Sequence, residues 1–376
     1  MRAAVLERFG TPLVIDAVPD PEIGHGEVLV DVLATCVLPY AAEVFSGARR
    51  YPLEPPVIPG LGGIGRIVAA GADATRLQPG DVVWCDPTVR SRDNALTPDI
   101  TLQGWSSRGD GGLRLSRHFH DGSFAEQMLV PTENVVPLGE VPAEQVARWS
   151  AIGVPLVPYG GLLAVGLQAG ETLLVSGATG NFGSAAVAVG LAMGAGTVVA
   201  TGRNETVLAD LRRRFGERVR PVALTGDADA DTQSMQAAAP APIDVVLDLL
   251  PPAAGTAPVR AAAMTVREYG RVVLMGGVGM LGGDDLALPY PWLMRNSVTV
   301  RGQWMYPRTA NAQLIALVRS RLLDLSHEAV TTFRLDDANE AVAHAAAHGG
   351  PFTRTVITPQ DRDAPRGAGL PRDTTP

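Results

Sequence analysis

Lysine is absent from this chain of 376 residues, and all 31 basic residues are arginine. No Schiff-base lysine is therefore available, which excludes pyridoxal-phosphate and lysine-aldolase chemistry. A Walker P-loop, which needs Gly-Lys-Ser/Thr, is excluded for the same reason. Cysteine is nearly absent as well. Cys36 and Cys85 are too few for a disulfide framework and imply a reduced compartment. No apolar run reaches membrane length, and no charged-then-apolar leader precedes MRAAVLERFG, which already reads as a strand. The expectation is a cytoplasmic protein with no membrane partner. A net charge of −8 argues against a nucleic-acid surface, and the one basic run, Arg212 to Arg214, reads as a solvated helix face. What is present is 46% hydrophobic and 19% charged residues, in a chain long enough for two domains with cores of their own.

The most informative stretch is ETLLVSGATGNFGSAAVAVGLAMGAGTVVATGRN, residues 171–204. An apolar run, Thr172 to Val175, enters a turn with Gly177, Gly180 and Gly183 three residues apart; a small-residue helix and a second strand follow. Glycine lets the backbone approach a pyrophosphate, and the helix amino terminus offers that anion free N–H groups and the positive dipole end. The strand–turn–helix context makes this a dinucleotide-binding unit. An NAD-selective unit usually carries Asp or Glu at the end of the second strand, for the ribose 2′-hydroxyl. Here the strand ends in Gly202, Arg203 and Asn204: Gly202 leaves room and Arg203 offers a planar cationic fork for a 2′-phosphate. NADP(H) is the expected cofactor. Its expected contacts are Gly177, Ala178, Thr179, Gly180, Asn181, Phe182, Gly183, Gly202, Arg203, Asn204 and, after a later strand, Gly276.

Residues 1–150 alternate short β-like runs with Gly/Pro turns, which predicts a mostly antiparallel, barrel-like domain. From about 151 strands alternate with helices, as in a doubly wound parallel sheet. The strands are expected at Pro221 to Leu224, Ile243 to Leu250, Gly270 to Gly277 and Val298 to Gly302. Amphipathic helices are expected at about Asn311 to Leu325 and Leu335 to Ala347, with FTRTVIT as a closing strand. The tail from Gln360 is polar, rich in Pro and Gly, and expected to be disordered.

Four stretches occur in the order found in the medium-chain dehydrogenase/reductase superfamily. They are MRAAVLERFGTPLVI, PVIPGLGGIGRIVAAGADATRLQPGDVV, the ATGNFG-to-GRN unit and FRLDDANEAVAHAAAHGGPFTRTVI, and the chain resembles that family over residues 1 to about 358. The resemblance implies an α/β fold in two parts. A GroES-like β-barrel catalytic domain would comprise 1–150 and 307–358, and a Rossmann doubly wound parallel sheet that binds NADP would comprise 151–306. Alcohol dehydrogenases of this family bind zinc at three places, which in this sequence hold Leu38, Leu61-Gly62 after Pro59-Gly60, and Tyr159. A two-residue slip would bring Cys36 to the first place, still short of the three protein ligands zinc needs. The four-cysteine structural zinc lobe is replaced by a polar, cysteine-free insertion between Asp86 and Gly122. Absence of both zinc sites resembles the zinc-independent quinone oxidoreductase/enoyl reductase-like branch. In His118-Phe119-His120-Asp121 both imidazoles would share one face of a strand, but no third soft ligand is nearby; the cluster reads as a cleft edge or surface. His344 and His348 mark a helix face, and His25 and His327 are structural.

Without a metal, the protein must orient hydride transfer to an activated acceptor and stabilise the oxyanion that develops. Tyr159, Tyr51 and Tyr40 are the candidate acids or donors, with Glu43 beside Tyr40. Leu38, Phe45, Leu61 and Trp304 are the expected substrate pocket, with Trp105, Trp292 and Tyr306 as further aromatic candidates. Cys36 has no positive neighbour in the sequence that would activate it as a nucleophile. Three functions are compatible. They are an NADPH-dependent reductase of an enone- or quinone-type C=C or C=O bond, a zinc-free alcohol/ketone dehydrogenase, and a non-catalytic NADPH-binding protein. The partner is a small hydrophobic substrate. By family pattern the chain forms a homodimer through the sheet edge at Val298 to Arg301.

Overall fold

A computed structural model describes residues 1–360. The tail expected to be disordered lies, from 361 onward, outside the described residues. Two sheets organise the chain. The first is six-stranded and wholly parallel, in the spatial order Val219–Ala223, Thr197–Gly202, Thr172–Ser176, Ile243–Asp248, Val266–Leu274, Thr299–Gly302. Its central strand is buried at all five positions, because helices cover both faces. That is why TLLVS reads as an uninterrupted apolar run rather than an alternating one. The chain reverses direction of winding between Thr172–Ser176 and Ile243–Asp248. Ligands of such sheets bind in the crevice at the carboxyl ends of those two strands.

The second sheet is built on Glu27–Val37. This strand pairs antiparallel with Gly63–Ala70, with Gln127–Pro131 and with the closing strand Thr353–Thr358. Val28, Val30 and Val32 point into a core shared with Ile67, Val83 and Val130, which accounts for the alternation visible in EVLVDVLAT. Ala329–Arg334 extends the sheet beyond Thr353–Thr358 as a parallel neighbour. The fold is thus the α/β arrangement expected, a GroES-like barrel with a Rossmann sheet.

The expected return of the chain to the barrel at 307 precedes the helix Thr309–Arg319. Leu314 and Ile315 of that helix share a core with Leu162 and Leu173 on the Rossmann side, and the next barrel strand begins only at Ala329. The insertion after Asp86 is also structured. It forms a small antiparallel sheet of Thr88–Arg90, Ile100–Leu102 and Ser106–Ser107, followed by the helix Gly109–Ser116. No described helix is long and apolar enough to cross a membrane.

Candidate active site

At the end of the central strand Gly177 takes φ 84°, a left-handed conformation that favours glycine, and the helix Asn181–Ala192 begins four residues later. A Cβ at Gly183 would run into the Gly177 carbonyl, so the turn closes only with glycine there. A cavity of about 1030 Å³ opens along this turn, lined by Gly177, Thr179 to Gly183, Gly202 and Arg203. Met275 to Gly277 continue the wall, so most of the expected cofactor contacts are gathered. Two are not. Ala178 is fully buried beneath the turn, and Asn204 caps the next helix by accepting from the Val207 N–H at 3.1 Å. Gly202 lies under the Thr179 side chain, which would meet a Cβ there. Arg203 is exposed and has no ion-pair partner among the described residues. Asp231 is the one carboxylate among the described lining residues. It accepts from the Thr225 N–H and hydroxyl at 2.8 Å and from the Gly226 N–H at 3.1 Å.

The sequence reading missed Arg354. From the closing barrel strand it donates to the Asn181 side chain at 2.6 Å and pairs with Glu328 at 3.1 Å, both side chains being almost wholly buried. Burial raises the Glu328 carboxyl pKa, against the pull of Arg354. Nothing local in FTRTVIT distinguishes this arginine from a solvated one. Asp248 was missed as well. It is buried at the end of its strand, with one carboxylate oxygen unpartnered among the described residues. Burial pushes its pKa up to about 6, opposed by hydrogen bonds from Ser176 and the Leu250 N–H.

The barrel supplies the opposite wall of the same cavity. Leu38, Leu61, Tyr40, Tyr51 and Trp304 all line it, together with Cys36, Val154 and Val157. Tyr40 lines the cavity with Tyr51, stands edge-on to Trp105 with centroids 5.9 Å apart, and carries the Arg49 guanidinium 4.0 Å over its ring. Burial, reinforced by Tyr51, raises the Tyr40 phenol far above the ordinary tyrosine range and keeps it protonated.

Three expected pocket residues lie elsewhere. Tyr159 is 6% exposed, packed in the core with Trp149, Leu156 and Leu162, and is not part of the cavity wall. The helix Gly153–Ala164 turns Val154 and Val157 toward the cavity, and two further residues rotate Tyr159 by about 200° onto the other face. Phe45 stands behind the wall, edge-on to Trp105 at 5.7 Å and to Phe124 at 6.3 Å. Trp292 packs against a separate core containing Val246 and Val272. The insertion, by contrast, contributes Leu102, Trp105, Ser106, Ser107 and Arg108 to the wall, of which the sequence reading had only Trp105.

The residues that the resemblance aligns with the family's zinc ligands do not make a donor set for the metal. Leu38 and Leu61 present hydrocarbon, and the nearby helix presents Val154 and Val157. Cys36 is the one thiol in the wall; it lies 3.3 Å from the Ser150 hydroxyl, and burial pushes it up to about 11. Among the described residues no three His, Cys, Asp or Glu side chains gather as metal ligands. His118 and His120 fall in a turn after the helix Gly109–Ser116, not on a strand. His118 bonds Glu27 at 2.8 Å, while His120 bonds Asp121 at 3.0 Å and the Glu54 carbonyl at 3.1 Å; a smaller, separate cavity lies beside them. His344 bonds Thr355 at 2.9 Å and stacks on His348.

Behind the cavity, Tyr306 donates to Asp86 at 2.9 Å, and Asn311 donates to its second oxygen at 2.8 Å. Trp84 donates in turn to Asn311 at 2.8 Å. This buried chain ties the first residues of the insertion to the segment that leaves the Rossmann sheet. It fixes the floor of the cavity at Trp84 and Tyr306.

A glycine turn at the switch point of a 3-2-1-4-5-6 sheet, facing a GroES-like barrel across one cavity, defines a two-domain dehydrogenase fold. Residues 24–140 match the alcohol dehydrogenase GroES-like domain and residues 182–320 match the zinc-binding dehydrogenase domain. The two domain matches together show that the chain belongs to the medium-chain dehydrogenase/reductase superfamily, whose members depend on pyridine nucleotides. An alcohol dehydrogenase from Rhizobium meliloti (strain 1021) is 36% identical over 198 residues, 52% of this chain and only 55% of that protein. An acryloyl-coenzyme A reductase from Metallosphaera sedula is 28% identical over 300 residues, 77% of this chain and 81% of that protein. A Sinorhizobium meliloti structure described as a zinc-binding dehydrogenase bound to NADP superposes with a TM-score of 0.74. It is 20% identical and covers 95% of this chain and 99% of that one, a likeness of fold alone.

Proposed function

We propose that this chain is a zinc-independent, NADPH-dependent reductase of an activated C=C or C=O bond. The observation that carries the reading is the pair Leu38 and Leu61. They line the same cavity as the glycine turn, Tyr40 and Tyr51, and the resemblance aligns these two hydrocarbon side chains with zinc ligands of the family. NADPH, when bound, supplies the hydride. Gly177, Thr179 to Gly183 and Gly276 would hold it, and Arg203 would receive the 2′-phosphate. The residues of this chain then stabilise the oxyanion or enolate that hydride addition leaves on the acceptor, and a proton from solvent or from a donor in the cavity completes the reduction. Tyr40 is suited to stabilising that oxygen because it lines the cavity and its phenol stays protonated, able to donate a hydrogen bond. Trp105 and Trp304 supply the flat apolar walls.

The test is turnover of an enone and quinone panel by metal-free protein with NADPH, with product analysis for C=C against C=O reduction. Activity lost to a chelator and restored by zinc sinks the reading. The second reading, a zinc-free alcohol/ketone dehydrogenase, is supported by the naming of the Rhizobium relative. Exclusive C=O reduction would select it. The acryloyl-coenzyme A reductase supports the first, since its name describes reduction of an activated C=C bond.

A further inference from the structure

We propose that the substrate carries an anionic group, a carboxylate or a phosphate, received at the cavity mouth by Arg50 and Arg108. This rests on the reductase reading and names the class of substrate it acts on. The barrel wall of the cavity contains Arg49, Arg50 and Arg108 and no carboxylate among its described residues, in a chain whose net charge is −8. A local excess of positive charge set against the field of the whole molecule attracts anions to that cleft.

The three arginines are not equivalent. Arg49 is already engaged, bonded to Glu43 at 2.9 Å and stacked over Tyr40. Arg108 spends one nitrogen on the Pro98 carbonyl at 2.8 Å and reaches toward the Trp304 ring, with no carboxylate partner among the described residues. Arg50 has no side-chain partner among the described residues, and it is exposed. Its backbone is held at φ 51°, a conformation unfavourable for a residue with a Cβ, by the turn in which its N–H donates to the Gly47 carbonyl at 3.1 Å.

The fold joins the loops that carry the two arginines without a carboxylate partner among the described residues. The Ser107 N–H donates to the Pro52 carbonyl at 2.9 Å, so the loop carrying Arg50 and the insertion carrying Arg108 are bonded one and two residues away from them. Two arginines on adjoining loops of one wall, lined also by Tyr40, Tyr51 and Trp105, can each offer a guanidinium group to an anion. A substrate fits this arrangement when its charge stays at the rim and its activated bond extends inward.

The experiment compares kcat/KM with NADPH for benzylideneacetone, its para-carboxylate and its para-phosphate ester. The enzymes are wild type, Arg50→Met, Arg108→Met and Arg50→Lys, each at low and high salt. We expect wild type to favour the anionic compounds over the neutral one by about tenfold or more, as one or two charge-assisted hydrogen bonds supply. The preference falls with salt, falls in each Met variant, and is largely kept in Arg50→Lys. The carboxylate and phosphate arms show which anion the rim takes, and an acyl-coenzyme A arm tests whether the phosphates of a thioester carrier serve as that anion. Equal kcat/KM for neutral and anionic compounds in wild type overturns the proposal. So does a preference unchanged in both Met variants, or a loss shared equally by neutral and anionic substrates. If no compound is turned over, the reductase reading fails, and calorimetric binding of the saturated para-carboxylate to NADPH-loaded protein decides this proposal separately. Binding weakened in Arg50→Met and Arg108→Met upholds the anion site, and undetectable or unaltered binding overturns it.

Discussion

Arg354, on the last barrel strand, donates to the side chain of Asn181, the first residue of the helix behind the glycine turn, across 2.6 Å. The same guanidinium balances Glu328, so one buried cation links the barrel to the start of the cofactor helix. Arg354→Met leaves Glu328 buried without its partner, and removal of one member of a buried pair costs about 3–5 kcal/mol. The expected outcome is a large fall in the denaturation midpoint, partly recovered in Arg354→Met/Glu328→Gln. NADPH titration of the double variant should still show weaker affinity than wild type, because Asn181 has lost its anchor.

Tyr40→Phe removes the protonated donor while leaving the ring under Arg49 and against Trp105. The expected effect is a fall in kcat of roughly ten- to a hundredfold with little change in KM, in line with the loss of one oxyanion donor or acid. Tyr51→Phe should cost less, since Tyr51 acts on the reaction through its electrostatic influence on Tyr40. Steady-state kinetics on the best panel substrate separate the two. Equal kcat in wild type and Tyr40→Phe removes Tyr40 from the mechanism.

Arg203→Asp replaces a free guanidinium with the carboxylate typical of NAD-selective units. The ratio of kcat/KM for NADPH over NADH is expected to drop by at least about a hundredfold, because a charge-assisted bond is lost and a repulsion gained. A ratio that stays where it was would show that the 2′-phosphate is bound elsewhere.

Asp248 predicts a pH dependence of stability. Its folded pKa of about 6 lies above the ordinary aspartate value of 3.8, so between these values the folded state holds a proton that the unfolded state has released. Stability therefore falls as pH rises through that window and levels off above it. The total is on the order of 3 kcal/mol at 1.36 kcal/mol per pKa unit. Asp248→Asn should flatten this part of the curve, as measured by urea denaturation at pH 4 and 7. An Asp248→Asn curve that keeps the wild-type slope contradicts the assignment.

Thr299–Gly302 ends the parallel sheet with one side unpaired among the described residues; Val300 is exposed on it, as are Tyr290 and Met294 on the helix that precedes it. Dimerisation through this edge is the expected way to cover it. Light scattering should give twice the chain mass, and Val300→Lys should shift the population toward monomer. A monomeric wild type contradicts the expectation.

Much of the cofactor side was legible in the sequence because its determinants are local. Gly177 and Gly183 lie six residues apart in one turn, and the absence of an acid after Thr201 is read directly from the chain. The barrel was legible as alternating Val28, Val30 and Val32, since sheet side chains alternate regardless of what they pack against. Tyr159 misled because its assignment rested on alignment along a helix, where a two-residue difference sends a side chain to the opposite face.

The sequence by itself therefore determined the class of fold, the glycine turn with Arg203, and the hydrocarbon at Leu38 and Leu61. Each depends on residues close together in the chain or on a side chain's chemistry alone. Only the tertiary structure decided which side chains share the cavity. It brought the 86–122 insertion over the cleft, set Arg108 near Arg50 through the Ser107–Pro52 bond, joined Arg354 to Asn181 and left Tyr159 in the core. These pairings join segments tens to more than a hundred residues apart. Their energy comes from burial and hydrogen bonds that exist only after the chain has closed on itself, and no local pattern records them.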